Sequence, residues 1–271
     1  MDGEEFIEAL RSGKRLYGTL IVSKSPKWLE AVTGLGLDCV FIDTEHTPMD
    51  WYELGWMCRA YRLLGLATLV RIPRADPHQA RRVLYVGASG VITAYVETAE
   101  EVNQLRGAVK LRPLKGKKLE EILAGRRKLD GEMAEYVPKF NEGSALLVNI
   151  ESVPAVEALD EILAVPGLDG VLIGPHDLSC SLGVPEQYDH PLFDEAVMTI
   201  TTKARAKNVG VAMHNMPLVE QDIKYGKAGI NLILRRSDIE LFRTALREDL
   251  SRLRHSLGES ASDIERGDLV I

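Results

Sequence analysis

The chain alternates short apolar runs with longer amphipathic stretches, and this pattern predicts an α/β fold, specifically a (β/α)8 TIM barrel. About eight runs are separated by helical patterns, which implies parallel strands joined by right-handed crossovers. The length of 271 residues is typical of one such barrel. A Gly-x-Gly-x-x-Gly turn does not follow the first run, which disfavours an open dinucleotide-binding sheet.

The strand candidates are short and rich in branched apolar residues, as strands buried on both faces are. Several of them follow a glycine turn, where glycine can end a helix in the left-handed conformation before the chain enters the sheet. In chain order the predicted strands are Leu16 to Val22, Cys39 to Ile42, Thr68 to Ile72, Gly90 to Thr93, Ala145 to Ile150, Gly170 to Ile173, Gly210 to Met213 and Leu232 to Leu234.

Apolar residues recur at helical spacing between the strand candidates. The stretch after the last helical pattern is polar and acidic until its final three residues. We therefore predict one barrel domain over residues 1–256 and a C-terminal tail over residues 257–271. The clearest predicted helices are Glu97 to Val109, Val153 to Val165, Phe193 to Lys207 and Ile239 to His255.

Charge and composition restrict the possible partners and location. The formal net charge is −7, whereas nucleic-acid binders present basic faces, so we expect no nucleic-acid partner. No apolar run approaches the length that spans a bilayer, and the first residues are acidic where a signal peptide would be basic. Cys39, Cys58 and Cys180 are far apart and form no Cys-x-x-Cys pair, which favours a reducing compartment. We expect a cytoplasmic protein without a membrane partner.

Polar residues close several of the strand candidates. In a barrel the functional face lies at the carboxyl ends of the strands, so these side chains are expected on one rim. Asn149 lies two residues before Glu151 and should point to the same side of its strand. The candidates are, in chain order, Asp43, Glu45, His46, Arg71, Asn149, Glu151, His176, Asp177 and, with a weaker claim on the pocket, His214.

These residue types suit a metal-assisted reaction on an anionic substrate. Two carboxylates on one rim, Glu151 and Asp177, can hold a hard divalent cation and leave positions open for a substrate. Arg71 matches the fork geometry of a substrate carboxylate, and His46 can transfer protons near neutral pH. Structural alternatives stay open at this point: Asp43, Glu151 and Asp177 can each be helix caps, and His46 can be a hydrogen-bonded structural histidine.

At these positions the chain resembles the class II pyruvate aldolases of the HpcH/HpaI family. The resemblance runs in the same order and with similar spacings from about residue 5 to residue 250, and its most specific segment is the Gly-Pro-x-Asp-Leu-Ser match. The matching segments are Asp43-Thr44-Glu45-His46, Leu69-Val70-Arg71, Val148-Asn149-Ile150-Glu151 and Gly174-Pro175-His176-Asp177-Leu178-Ser179.

The resemblance implies a lyase that reversibly cleaves a 4-hydroxy-2-oxo acid to pyruvate and an aldehyde. It implies a divalent metal ion, Mg²⁺, Mn²⁺ or Co²⁺, held by Glu151 and Asp177 and chelated by the carboxylate and ketone oxygens of pyruvate. Arg71 would stabilise the pyruvate enolate, and His46 would transfer protons with Asp43 beside it. The resemblance also implies a homo-oligomer, from dimer to hexamer, often with the last helix exchanged between subunits.

Three departures from the family pattern bear on the substrate end of the pocket. The family usually has a glycine-rich substrate loop, but the matching residues 116–122 keep one glycine and are expected to be helical. Asn149 stands where glutamine is common. His176 stands where a small residue is common, directly beside Asp177. We expect Arg71, Asn149 and His176 to contact the substrate.

Two other functions compete with the aldolase interpretation. The altered residues 116–122 and His176 suggest another metal-enolate enzyme on the same barrel, such as an oxaloacetate decarboxylase. A barrel that binds a metabolite without turnover is the third possibility. The retained His46, Arg71, Glu151 and Asp177 favour the aldolase.

Overall fold

Eight parallel strands close into a barrel in the computed structural model, which describes residues 1–258. Each strand pairs with the next one along the chain, and β8 closes the barrel against β1. The predicted (β/α)8 barrel is therefore confirmed. The strands are β1 (Leu16–Ile21), β2 (Cys39–Asp43), β3 (Ala67–Ile72), β4 (Gly90–Thr93), β5 (Ala145–Ile150), β6 (Gly170–Ile173), β7 (Gly210–His214) and β8 (Leu232–Ser237).

Helices precede β1, connect successive strands and follow β8. Residues 116–123 form a helix, as expected for the segment that replaces the glycine-rich loop. The helices are α1 (Gly3–Ser12), α2 (Trp28–Val32), α3 (Trp51–Leu63), α4 (Pro77–Val86), α5 (Ala99–Val109), α6 (Gly116–Leu123), α7 (Glu132–Asn141), α8 (Val153–Glu157), α9 (Leu159–Ile162), α10 (Pro175–Ser181), α11 (Pro191–Ala206), α12 (Val219–Ala228) and α13 (Asp238–Leu257).

Element boundaries differ from the sequence-based predictions in a few places. The predicted helix over Val153 to Val165 is two short helices, with Ala158 as the C-cap of α8 and the N-cap of α9. β2, β7 and β8 run further than their apolar patterns because polar residues continue the strand pairing at the rim. Of the predicted tail over residues 257–271, Leu257 ends α13 and Gly258 caps it, whereas residues 259–271 lie outside the described residues.

Two apolar layers hold the barrel together. Strand residues such as Val40 and Ile42 pack outward against the helices, whereas Phe41 and Leu69 fill the barrel interior. The N-terminal helix α1 closes the bottom of the barrel with Leu10, which packs so tightly that a β-carbon on Gly210 would lie 2.3 Å from its Cγ. Each fully buried Leu or Phe of this kind stabilises the fold by roughly 1.5–3 kcal/mol. The packed bottom leaves the carboxyl ends of the strands as the open face.

Within residues 1–258, no helix combines the length and the apolar character that crossing a bilayer requires.

Candidate active site

The carboxyl ends of the strands bring the predicted site residues to one face. Asp43 is the last residue of β2, and Arg71 lies one residue before the end of β3. Glu151 follows β5 directly, and Asp177 lies in the first turn of α10, just after β6. A cavity of about 310 Å³ opens at this face. Its lining includes Asp43, His46, Arg71, His176, Asp177 and His214.

Asp43 and Arg71 form a buried ion pair at the centre of this face. Their backbones are register partners in the β2–β3 ladder. Arg71 Nε and Nη2 donate to the two carboxylate oxygens of Asp43, at 2.9 and 2.6 Å, and Nε lies 3.1 Å from Oε2 of Glu45. Burial alone would raise the pKa of Asp43, but the hydrogen bonds and charge of Arg71 lower that pKa below its usual value. The carboxylate is therefore ionised and the guanidinium is fixed in orientation.

His46 joins this pair through one ring nitrogen. Nδ1 of His46 lies 2.9 Å from Oδ2 of Asp43 and 2.9 Å from Nη2 of Arg71. A protonated Nδ1 donates to Asp43, whereas an unprotonated Nδ1 accepts from Arg71. Either way Nδ1 is engaged, so Nε2 is the atom of this half-exposed ring that can exchange a proton with a substrate.

The carboxylate of Glu151 is buried and held from two sides. The backbone N–H of Tyr95 donates to its Oε1 at 2.8 Å, and Nδ2 of Asn149 donates to its Oε2 at 2.7 Å. Tyr95 has φ 51°, a left-handed conformation that is strained for a residue with a β-carbon and is often found at functional sites. Burial raises the pKa of Glu151, and the nearby negative charge of Asp177 adds to this effect against the two hydrogen bonds.

Gly174 lets the chain pass close to Glu151. A β-carbon on Gly174 would lie 2.4 Å from Oε2 of Glu151, so only glycine fits there without displacing the carboxylate. Gly174 lines the cavity, and the carboxylate of Glu151 lies against Gly174. Asp177, half-buried, presents its carboxylate to the same cavity three residues later.

The side chains of Glu151 and Asp177 do not cap the helices that follow them. The side chain that caps α8 is Ser152, which accepts from the backbone N–H of Ala155, and not Glu151. The N-cap of α10 is Gly174, and its first turn has no side-chain cap. Asp43 does accept from the backbone N–H of Glu45 at 2.9 Å, but its main partner is Arg71.

Glu151 and Asp177 fit a hard divalent cation. Both offer carboxylate oxygens. Burial and the charge of Asp177 raise the pKa of Glu151, so a cation bound beside it would stabilise its ionised form. Oδ1 of Asn149, on the amide group that donates to Glu151, is buried without a hydrogen-bond partner among residues 1–258. An unpaired acceptor on this amide is what a bound cation or its water would satisfy.

A second group, Asp43, Glu45 and His46, also brings its possible ligand atoms within 4.8 Å of one another. The guanidinium of Arg71 already lies against both carboxylates of this group, at 2.6 to 3.1 Å. A metal ion there would have to displace a buried, fixed cation. Arg71 therefore already supplies the positive charge that balances these two carboxylates.

His176 lies at the cavity rim. Its Nδ1 is 3.5 Å from Oε1 of Glu186, and its Nε2 is 3.9 Å from the sulfur of Cys180. The ring is exposed, and Tyr188 lines the cavity beside it. His176 is thus placed to meet the outer part of a ligand.

Two contributors to the site were missed in the sequence. Tyr95 acts through its backbone N–H, which carries no side-chain signal. Gly174 acts by allowing the backbone to pass close to Glu151, and its position between β6 and Asp177 is the sequence feature that could have indicated this. His214, a weaker candidate, does form part of the cavity wall.

A barrel with this arrangement of carboxylates, guanidinium and imidazole at its carboxyl end is an enzyme of the metal-dependent aldolase class, a carbon–carbon lyase. The chain belongs to the HpcH/HpaI aldolase/citrate lyase family, whose family model matches residues 17–232.

Curated relatives and solved structures agree with this membership. The chain is 30% identical over 248 residues to a 2-keto-3-deoxy-L-rhamnonate aldolase of Escherichia coli K12, covering 91% of each protein. It is 33% identical over 201 residues to a 2-keto-3-deoxy-L-rhamnonate aldolase of Salmonella gallinarum, covering 74% of this chain and 75% of the relative. A crystal structure of an HpcH/HpaI aldolase/citrate lyase family protein from Burkholderia cenocepacia J2315 superposes with a TM-score of 0.79 at 26% identity, over 93% of this chain and 99% of that one.

Proposed function

We propose that this protein reversibly cleaves a 4-hydroxy-2-oxo acid to pyruvate and an aldehyde, with Glu151 and Asp177 as metal ligands and Asp43, His46 and Arg71 as catalytic residues. The observation that carries the proposal is one cavity shared by the fixed guanidinium of Arg71, the half-exposed ring of His46 and the carboxylate of Asp177. Cleavage next to a 2-oxo group needs a stabilised anion and a base, and these side chains can supply both.

Glu151 and Asp177 would hold Mg²⁺, Mn²⁺ or Co²⁺, since two carboxylates with water suit all three. When bound, the metal ion supplies Lewis-acid stabilisation of the negative charge that develops on the substrate. Asn149 orients Glu151 through a hydrogen bond from Nδ2, and its buried Oδ1 has no hydrogen-bond partner among residues 1–258. We assign Asn149 to substrate binding at this end of the site.

Arg71 binds the anionic end of the substrate. Its bonds to Asp43 fix the guanidinium before the substrate arrives, so little reorganisation is needed when charge moves onto the substrate oxygen. Removing one fixed donor of this kind typically lowers kcat by about 10²- to 10³-fold.

His46 moves the proton. In the cleavage direction Nε2 takes the proton of the C4 hydroxyl as the C3–C4 bond breaks, and the aldehyde leaves. The electron pair of that bond moves toward the 2-oxo group, and protonation at C3 then gives pyruvate. Asp43 holds Nδ1 and keeps the ring in place during both transfers.

His176 is assigned to the outer part of the substrate, because it lies at the rim rather than over Arg71. The Escherichia coli and Salmonella relatives are named for a deoxy sugar acid, which makes sugar-derived 2-oxo acids the first substrates to test. A second candidate function, decarboxylation of oxaloacetate, is favoured by the rebuilt segment 116–123, which is a helix packed on α5 instead of a flexible loop.

We propose that the protein forms a homo-oligomer, from dimer to hexamer, in which α13 packs on a neighbouring subunit. Asp238 is the one buried residue of this twenty-residue helix. A stripe of apolar side chains at spacings of three and four residues is exposed instead, which is unfavourable for a helix facing water. The stripe consists of Ile239, Phe242, Leu246, Leu250, Leu253 and Leu257.

The barrel has a matching uncovered groove. It lies between β8 and α12, with an exposed Ile223 and Val219 beside Ile233 and Tyr17. The apolar residues of this groove suit an apolar helix of a second copy. We also assign the protein to the cytoplasm, where its three cysteines, which form no disulfide, would stay reduced.

The test is a coupled assay of the purified protein with Mn²⁺ or Mg²⁺. One arm contains pyruvate with a panel of aldehydes, and the other contains oxaloacetate alone. Aldol products that disappear with a chelator support the aldolase. Pyruvate formed from oxaloacetate without aldol products favours the decarboxylase function. Bound metal without turnover in either arm contradicts both enzyme functions and favours a barrel that binds a metabolite without catalysis.

A further inference from the structure

His214 closes β7 and stands in the wall of the catalytic cavity, yet the mechanism above gives it no role. It pairs in register with Leu234 of β8, so it stands on the β7–β8 side of the rim. It is near enough to Arg71, Asp43 and His46 for their charges to affect its ionisation. The side chain therefore shares the chamber in which the substrate reacts.

The ring of His214 is held in a fixed position. It packs edge-on against Phe41, with centroids 5.2 Å apart and an interplanar angle of 82°. The guanidinium of Arg71 also contacts Phe41, with its carbon 5.3 Å from the ring centroid. His214 and Arg71, which both line the cavity, thus contact the same aromatic side chain.

Nε2 of His214 is buried without a hydrogen-bond partner in the described part of the chain. Buried polar atoms are almost always paired, and an unpaired one in a ligand cavity points to a group that arrives with the ligand. By contrast His190, the N-cap of α11, does have a protein partner, because its Nδ1 accepts from the backbone N–H of Leu192.

The chemistry of the missing partner follows from the state of the ring. Burial, and then the positive charge of Arg71, lower the pKa of His214 to about 3. A neutral imidazole offers one donor and one acceptor, which matches an uncharged hydroxyl group. A substrate carboxylate would bind more strongly to the guanidinium of Arg71 than to the neutral ring of His214.

We infer that His214 is a specificity-determining residue that hydrogen-bonds a hydroxyl group of the substrate beside Arg71. The inference rests on the proposed aldolase function. The hydroxyl can belong to the 2-oxo acid or to the aldehyde, and the experiment separates these two sources. A site built to bond a hydroxyl discriminates strongly against an analogue that lacks it, because its own polar atom is then left unpaired.

The experiment compares probes that differ by a hydroxyl in place of a methyl group. In the aldehyde arm, pyruvate reacts with glycolaldehyde or with propanal. In the acid arm, hydroxypyruvate or 2-oxobutanoate reacts with one fixed aldehyde. Three Mn²⁺-loaded enzymes are compared: the wild type, His214→Leu and His214→Gln. His214→Leu removes the hydrogen bond to the substrate hydroxyl, whereas His214→Gln keeps a neutral donor and acceptor.

In one arm we expect wild type to prefer the hydroxylated probe in kcat/KM, and His214→Leu to lose that preference by about tenfold or more. The readout is the ratio of the kcat/KM values for the two probes, and His214→Gln should recover part of this preference. The arm that responds identifies the source of the hydroxyl.

An equal loss on both probes, or an unchanged preference in both arms, would overturn the inference and leave the aldolase function intact. Absence of aldol product from wild type in every arm contradicts the proposed function instead. In that case the affinities of the same probe pairs for the Mn²⁺-loaded wild type and variants are measured by calorimetry. A preference of the wild type for the hydroxylated probe that is lost in His214→Leu would still support the role of His214.

Discussion

Asp43 and Arg71 are register partners on adjacent strands, and their side chains form a two-bond ion pair across the mouth of the barrel. The pair is almost fully buried, with 3% and 10% of the side-chain surfaces exposed. A guanidinium in such a place needs a fixed carboxylate to offset the cost of leaving water. In the proposed mechanism the same ion pair orients Arg71 toward the substrate, so that stability and catalysis would depend on one contact.

Asp43→Asn should destabilise the fold and impair the reaction together. Removing one partner of a buried ion pair leaves the other charge uncompensated, which costs about 3 kcal/mol here because Glu45 remains near Arg71. The free energy of unfolding is measured by urea titration. The control is Asp160→Asn, which breaks the exposed pair with Lys203 and should leave the urea midpoint unchanged. Equal stability of the two variants would contradict this account of Asp43.

The stability contributed by Asp43 also has a pH dependence. The pKa of this carboxyl is lowered in the folded state, so its contribution is complete above the pKa of the unfolded chain, about 3.9. It is lost as the pH falls through the folded value.

Gly174→Ala should weaken metal binding more than folding. The added methyl group would meet Oε2 of Glu151 at 2.4 Å and push the carboxylate out of its hydrogen bonds. We expect at least about a tenfold loss of Mn²⁺ affinity by calorimetry, comparable to disturbing the support of a metal ligand. Gly226→Ala is the matched control, because a β-carbon on that helical residue meets only Ile233, at 3.5 Å. An unchanged Mn²⁺ affinity in Gly174→Ala would place the metal elsewhere.

His214→Leu should flatten the acid limb of the stability profile. The pKa of His214 is lowered in the folded state to about 3, whereas an unfolded histidine titrates at about 6.5. The unfolded chain therefore binds a proton that the folded chain does not, and stability is lost as the pH falls from about 6.5 toward 3. At pH 5 this amounts to at most about 2 kcal/mol. Thermal unfolding at pH 7.5 and pH 5 should show a smaller drop in Tm for the variant, and an identical drop argues for a solvated, ordinary His214.

Leu246→Asp should reduce the oligomeric mass. Leu246 is in the middle of the exposed apolar stripe of α13, and a carboxylate there cannot be buried against another subunit without a large desolvation cost. Light scattering after size exclusion measures the mass against the 30.0 kDa chain. Ser251→Asp, on an exposed polar position of the same helix, is the control and should keep the wild-type mass. A monomeric wild type would refute the proposed assembly.

The barrel was predictable because its strands are buried on both faces and so appear as continuous apolar runs. Position at a strand end also located Arg71 and Glu151, since every parallel strand ends on the same face. The network itself was not predictable. Which carboxylate binds Arg71 depends on the β2–β3 register, and the support of Glu151 comes from a strained backbone N–H at Tyr95.

The central claim is that Glu151 and Asp177 bind the metal ion on which carbon–carbon cleavage depends. The most direct measurement is Mn²⁺ binding by calorimetry together with chelator-sensitive pyruvate release, for wild type, Glu151→Gln, Asp177→Asn and the exposed control Glu161→Gln. We predict that wild type and Glu161→Gln bind Mn²⁺ and release pyruvate. The two ligand variants should lose both properties and keep the wild-type circular dichroism spectrum. Wild-type Mn²⁺ affinity and activity in either ligand variant would contradict the claim.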